Sequence, residues 1–282
     1  MADSVMEAVA RRFGLGRLEA EPVRVAGGLS NELWRVRTDR GVFAVKRMVV
    51  NADRPDFVGN VEGAYGVERR AWERGVPMPE PVPVGGRALA EVDGGLFRAH
   101  RWVDGEPAAG TAVEAARLLA AVHAAGEPRL GAVAGEGWVA DRWGSELVEL
   151  TGRVAQRETS GVIVDSHRDL DGKNTLRRRD GVLLALDWDA AGPISAVQEA
   201  AGVALDWSGG DPAVFVSAVR AYSQGSGLDV PAQPWIFGGW VAALGGWLDY
   251  NAAHGGRGEV ERTLASLRGL AANLDEMVAS LQ

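Results

Sequence analysis

The sequence predicts an α+β protein in two parts, a β-rich part over residues 1–103 and a mainly helical part over residues 104–282. Three observations predict it. Apolar and polar side chains alternate across residues 23–48, the period of half-buried strands. Beyond residue 110 the apolar spacing becomes helical. Between the two patterns, Asp104-Gly105-Glu106-Pro107 reads as a linker.

The elements follow in order. Ser4-x-x-Glu7 has the form of a capping box and opens a short helix with Val5, Val9 and Phe13 on one face. Trp34 and Val36 alternate with Arg35 and Arg37, Asp39-Arg40-Gly41 makes a turn, and residues 42–45 form the return strand. A helix over residues 60–74, closed by Gly75, buries Val61, Tyr65, Glu68 and Trp72 by their spacing. Pro77, Pro79, Pro81 and Pro83 force an extended crossing, and residues 87–91 and 96–103 complete a small sheet. Thr111-x-x-Glu114 is a second capping box, leading Leu118, Leu119, Val122 and His123 to a stop at Gly126. Later helices are expected over residues 194–207, 212–223, 234–253 and 259–281, with short strands at 161–164 and 182–186.

Composition narrows the function. The chain has no cysteine, which excludes disulfides and thiolate zinc and fits a cytoplasmic protein. Residues 1–13 lack an apolar run of signal-peptide length, and residues 235–248 are too short to span a bilayer, so no membrane association is expected. The net charge of −8 divides as +1 over residues 1–100, −4 over 101–195 and −5 over 196–282. An acidic C-terminal part argues against nucleic acid and suits a small cationic substrate. No obligate protein partner is evident. Only two of the thirty basic residues are lysines, Lys46 and Lys173, and both fall inside motifs.

His167-Arg168-Asp169-Leu170-Asp171-Gly172-Lys173-Asn174 fits the pattern H-x-D-x-x-x-x-N, and Asp187-Trp188-Asp189 follows an apolar run. Phosphoryl transfer asks a protein mainly for positioning and charge neutralisation. An aspartate beside the incoming hydroxyl orients it and takes its proton, while an asparagine and further aspartates hold Mg2+ against nucleotide phosphates. Asp169 is thus the catalytic candidate, and Asn174, Asp187 and Asp189 are the metal candidates. Upstream, Gly27, Gly28, Ser30 and Asn31 could approach phosphates through backbone and hydroxyl donors. Lys46 ends the strand pattern Phe43-Ala44-Val45-Lys46, and the buried carboxylate of Glu68 needs a partner that Lys46 could supply, with Glu62 the competing acid.

These motifs, with Gly75-Val76-Pro77-Met78-Pro79 and Leu119-Ala120-Ala121-Val122-His123, resemble the aminoglycoside phosphotransferase family over about residues 27–206. The resemblance implies a two-lobed protein-kinase-like fold with ATP (or GTP) and Mg2+ bound between the lobes. Lys46 and Glu68 would anchor phosphates, Asp169 would act as base, and the backbone of Arg101, Trp102 and Val103 would meet the base of the nucleotide. Asp171, Asp206, Trp207, Asp249 and Tyr250 are the acceptor-binding candidates. The sequence departs from the family at Arg168 and Asp171, where glycine and histidine are common. It also has Asp187-Trp188-Asp189 in place of the protein-kinase D-F-G, and no A-P-E motif follows. The expected activity is phosphorylation of a hydroxyl on a cationic antibiotic, aminoglycoside or basic peptide, giving resistance. The alternatives are a kinase of choline, homoserine or a sugar, and a silent nucleotide-binding module.

Overall fold

The alternation around Trp34 and the turn at Gly41 give the hairpin that the sequence predicts. The computed structural model of the chain describes residues 2–25, 31–133, 137–155 and 160–282. Helix α1 (Ala2–Arg12) precedes β1 (Val23–Val25), β2 (Asn31–Thr38), β3 (Gly41–Met48) and α2 (Phe57–Glu73). Next come β4 (Pro81–Val82), β5 (Ala90–Val92), β6 (Gly95–Arg101), β7 (Gly105–Pro107) and α3 (Ala112–Ala125). β8 (Arg129–Ala132), α4 (Ser145–Val154), β9 (Ser160–Ser166), β10 (Thr175–Arg178), β11 (Leu183–Ala185) and β12 (Gly192–Ser195) follow. The chain closes with α5 (Ala196–Ser208), α6 (Pro212–Ser226), α7 (Gly238–Ala253) and α8 (Arg257–Ala279).

Two compact units emerge, Met1–Ala109 with Asn174–Gly192, and Gly110–Lys173 with Pro193–Gln282. In the first, an antiparallel sheet runs β1-β2-β3-β6-β4, with β5 also on β6. Met6, Val9 and Phe13 bury their side chains against Val36, Phe43, Val45 and Phe97. Helix α1 begins at Ala2, so Ser4 lies inside the helix and does not open it. Helix α2 buries Val61, Tyr65 and Glu68 as its phase requires. Trp72, in phase but in the last turn, is 41% exposed. Gly75 then reverses the chain with φ +81°, a conformation that favours glycine.

Residues 105–107, read from sequence as linker, form a strand. β7 pairs with β10, Gly105 opposite Arg178, and β10 pairs with β11. A Cβ at residue 105 would collide with the Arg177 backbone, so glycine permits this approach. That pairing draws the segment Asn174–Gly192 into the first unit, although the sequence division at residue 103 grouped it with the second.

In the second unit the predicted capping box forms. Glu114 N donates to Thr111 Oγ1 at 3.3 Å and Thr111 N to Glu114 Oε2 at 2.9 Å. α3 ends at Gly126, where a side chain would run into the Asp165 carbonyl. β8, β9 and β12 make a three-stranded sheet. Helix α4 escaped the sequence reading because its N-cap is Gly144 at φ 114°, with no capping side chain. The helix expected over 234–253 divides into a 3₁₀ turn, Pro234–Phe237, and α7. Among the described residues, no helix is long and apolar enough to cross a membrane.

Candidate active site

Strand register assembles the charged face of the first unit. β3 and β6 set Lys46 directly opposite Arg98, and Ala44 opposite His100. Opposed residues share a face, and two like charges so placed are destabilising unless acids stand with them. The acids come from two elements. Glu68 reaches in from α2, with Arg98 Nη2 on its Oε2 and His100 Nε2 2.8 Å from its Oε1. The 3₁₀ turn Trp188–Ala190 and the residue that precedes it supply the others: Lys46 Nζ lies 2.6 Å from Asp187 Oδ1 and 2.6 Å from Asp189 Oδ2, while Arg98 Nη1 also pairs with Asp189.

The expected Lys46–Glu68 pair is therefore replaced. Arg98 and His100 take Glu68, and Lys46 takes the two aspartates. Glu62 is engaged elsewhere, accepting from Ala88 N at 3.0 Å and Leu89 N at 3.1 Å. Burial works against the charges of Glu68, Lys46 and Asp189 and loses. It pushes Glu68 up, but Arg98 and His100 hold its carboxyl below the usual value. It disfavours the Lys46 ammonium, but Asp189 and Asp187 keep it above its ordinary value. It also opposes the Asp189 carboxylate, which Arg98 and Lys46 nevertheless hold well below the carboxylate range.

The hairpin β10–β11 presents the remaining candidates. Leu186 N donates to the Asn174 carbonyl at 2.8 Å, which sets Asn174 beside the residue preceding Asp187. Trp188 is buried between its two acidic neighbours in sequence, and Asp187 adopts φ 59°, a region that aspartate tolerates better than most side chains.

The second unit holds Asp169 on a braced loop. β9 ends at Ser166, His167 is fully buried, and Arg168 takes φ 67°. Its amide donates to Glu199 Oε1 at 2.8 Å. Glu199 Oε2 lies 2.8 Å from His123 Nε2, and His123 Nδ1 lies 2.7 Å from the Tyr222 hydroxyl. His123 thus has a buried, structural place. Trp207 Nε1 donates to the Leu170 carbonyl at 3.0 Å and steadies the loop from α5. Lys173 Nζ sits 2.6 Å from Asp171 Oδ2 and 3.8 Å from Asp169 Oδ1.

Among the acceptor candidates, Asp206 receives Trp240 Nε1 at 2.6 Å. Asp206 stays exposed to solvent; the protein atoms around it, with Asp171 and Asp169, raise its carboxyl to about 6 against the Trp240 hydrogen bond. Asp249 accepts from Trp138 Nε1 at 3.0 Å, Trp143 Nε1 at 2.8 Å and Arg142 Nη2 at 2.5 Å, which ties residues 138–143 to α7. Tyr250 stacks between Trp247 and His254.

Gly27, Gly28 and Ser30 lie outside the described residues. The Asn31 side-chain carbonyl accepts from Val49 N at 3.0 Å. Arg101 N donates to Glu80 O at 2.8 Å and Trp102 N to Val42 O at 2.9 Å, so both amides are used within the sheet and its edge. Val103 follows, half-buried. Sequence reasoning missed Arg98, Glu199 and Trp240. Arg98 carried a signal, since pairing the strands around Val45 and Ala99 places it opposite Lys46.

Residues 21–235 match the model of the phosphotransferase enzyme family, and the chain belongs to that family. It is a phosphotransferase of kinase-like α+β fold. Its structure is similar to choline kinase LicA from Streptococcus pneumoniae, at TM-score 0.67 and 15% identity over 95% of this chain and 99% of that one. Spectinomycin phosphotransferase, solved with ADP and spectinomycin, gives TM-score 0.60 and 10% identity over 100% of this chain and 97% of that one. Macrolide 2′-phosphotransferase MphH from Brachybacterium faecium gives 0.59 and 18% over 94% and 97%. No curated protein sequence matches.

Proposed function

We propose that this chain transfers the terminal phosphoryl group of ATP or GTP to a hydroxyl of a small cationic acceptor. The observation that carries the reading is the convergence of Asp187 Oδ1 and Asp189 Oδ2 on one cation at 2.6 Å each. Among the described residues, no cluster of three or more histidine and acidic side chains suits a metal. Mg2+ does not need one, because it keeps several waters and takes one or two carboxylates plus phosphate oxygens. The donor set Asn174, Asp187 and Asp189 fits it. Bound there, the ion would supply charge neutralisation to the phosphates.

The remaining steps belong to the chain's own residues. Asp169 orients the acceptor hydroxyl and accepts its proton as the new oxygen–phosphorus bond forms and the nucleoside diphosphate leaves. Val103, with the carbonyls of Arg101 and Trp102, meets the nucleotide base. Asp171 and Asp206 attract an ammonium on the acceptor.

Negative charge on the acceptor side favours an aminoglycoside or a basic peptide antibiotic such as capreomycin or viomycin, and hence a resistance role in the cytoplasm, where nucleotide is available. A small ammonium alcohol of the choline type is the second reading. The fold shared with choline kinase LicA favours it, as do the indoles of Trp207 and Trp240 around α5. A nucleotide-dependent product screen across aminoglycosides, basic peptides, macrolides and small alcohols tests the reading. Phosphorylation of a cationic compound supports it, and phosphorylation of neutral compounds alone overturns the acceptor class.

A further inference from the structure

The two carboxylates assigned above to a metal already share a cation of the protein's own. Lys46 Nζ stands 2.6 Å from one oxygen of each. The neighbouring cation, Arg98, differs in kind. Its side chain is 3% exposed and is gripped by Glu68 on one arm and Asp189 on the other. Lys46 is 15% exposed, ends a flexible four-carbon stem, and has both its ion pairs with the turn residues Asp187 and Asp189. Mg2+ takes oxygens at about 2.0–2.1 Å. With the ammonium in place on those oxygens, the ion would face Lys46 and Arg98 as two close like charges. Arg98 is braced, so Lys46 is the one to yield.

We propose that Lys46 and the divalent cation compete for Asp187 and Asp189, and that nucleotide phosphates release the site by drawing Lys46 onto themselves. Metal and nucleotide then bind with positive coupling, although each brings contacts of its own. Lys46 is both placeholder and phosphate ligand, and the Glu68–Arg98 pair keeps Asp189 oriented whichever partner Lys46 holds. The inference rests on the reading of Asp187 and Asp189 as metal ligands.

Mn2+ binding to the nucleotide-free protein, followed by electron paramagnetic resonance, tests it. Lys46→Met is expected to bind Mn2+ about tenfold or more tightly than the unaltered protein, within the range of coupling between sites. Adding Asp187→Asn to Lys46→Met should abolish that gain. Equal affinity of the unaltered protein and Lys46→Met, both weakened by Asp187→Asn, would overturn the competition and leave the metal reading intact. Affinity indifferent to Asp187 in every background would overturn both. The two-lysine composition gives a second measurement that needs no variant at Lys46. With 13C,15N-lysine, the protein has only the signals of Lys46 and Lys173, assigned through Lys173→Arg. Saturating Mg2+ should move the Lys46 signal, and a stationary signal with metal bound would refute the displacement.

Discussion

Arg98→Met removes the guanidinium that joins Glu68 of α2 to Asp189. Arg98 and Glu68 are 3% and 1% exposed at their side chains, so the pair is out of water. Removing one partner of a buried pair costs about 3–5 kcal/mol, because the other charge stays buried. Asp189 keeps Lys46, and Glu68 keeps His100 at 2.8 Å, so the lower end, about 3 kcal/mol, is expected. Pairing Arg98→Met with Glu68→Gln should recover much of that loss, with a coupling of about 2 kcal/mol. Hydrogen exchange of the Phe97–Ala99 amides reads the first unit directly, without assuming that both units unfold together. Stability against pH reports on the same pair. Glu68 in the folded protein titrates below its ordinary 4.5, so its stabilisation is complete above that pH and is lost as pH falls through the lowered value. Arg98→Met should remove most of this acid loss. A cost under about 1 kcal/mol, with additive single effects, would refute the assignment of Arg98 as the partner of Glu68.

Further outcomes follow from the second unit. Arg168 holds φ 67°, where a side chain costs about 1–2 kcal/mol. Arg168→Gly should therefore be neutral or up to about 1 kcal/mol stabilising by thermal or urea unfolding, since glycine's unfolded-state entropy offsets part of the gain. Arg168→Val should destabilise and slow turnover by disturbing Asp169. Asp206 ionises as pH rises through about 6, so the KM for a cationic acceptor should fall roughly five- to tenfold between pH 5 and 7. Asp206→Asn should flatten that profile in a steady-state assay. An equal pH response in the variant would remove Asp206 from acceptor binding.

Local pattern carried much of the fold. The capping box at Thr111 and Glu114, the α2 phase that buries Glu68 and the hairpin at Gly41 all depend on residues within a few positions of each other. Strand β7 did not, because its partner Arg178 lies far along the chain and nothing near Gly105 announces the pairing. The same limit applies to the charges. Burial of Glu68 could be read from helical phase, but its partner depended on the register between β3 and β6, which sets Arg98 beside Lys46. Asp249 looked available for an acceptor amine because the two indole donors that hold it, Trp138 and Trp143, are more than one hundred residues upstream.

Phosphoryl transfer itself is the most direct measurement of what this protein does. A cationic acceptor, MgATP or MgGTP and the protein are incubated together, and the product is read by mass and phosphorus NMR. A phosphate ester on an acceptor hydroxyl is the expected product. Asp169→Ala should lower the rate about 10²–10⁴-fold with nucleotide binding nearly unchanged. Full activity of Asp169→Ala, or nucleotide turnover without an esterified acceptor, would contradict the proposal.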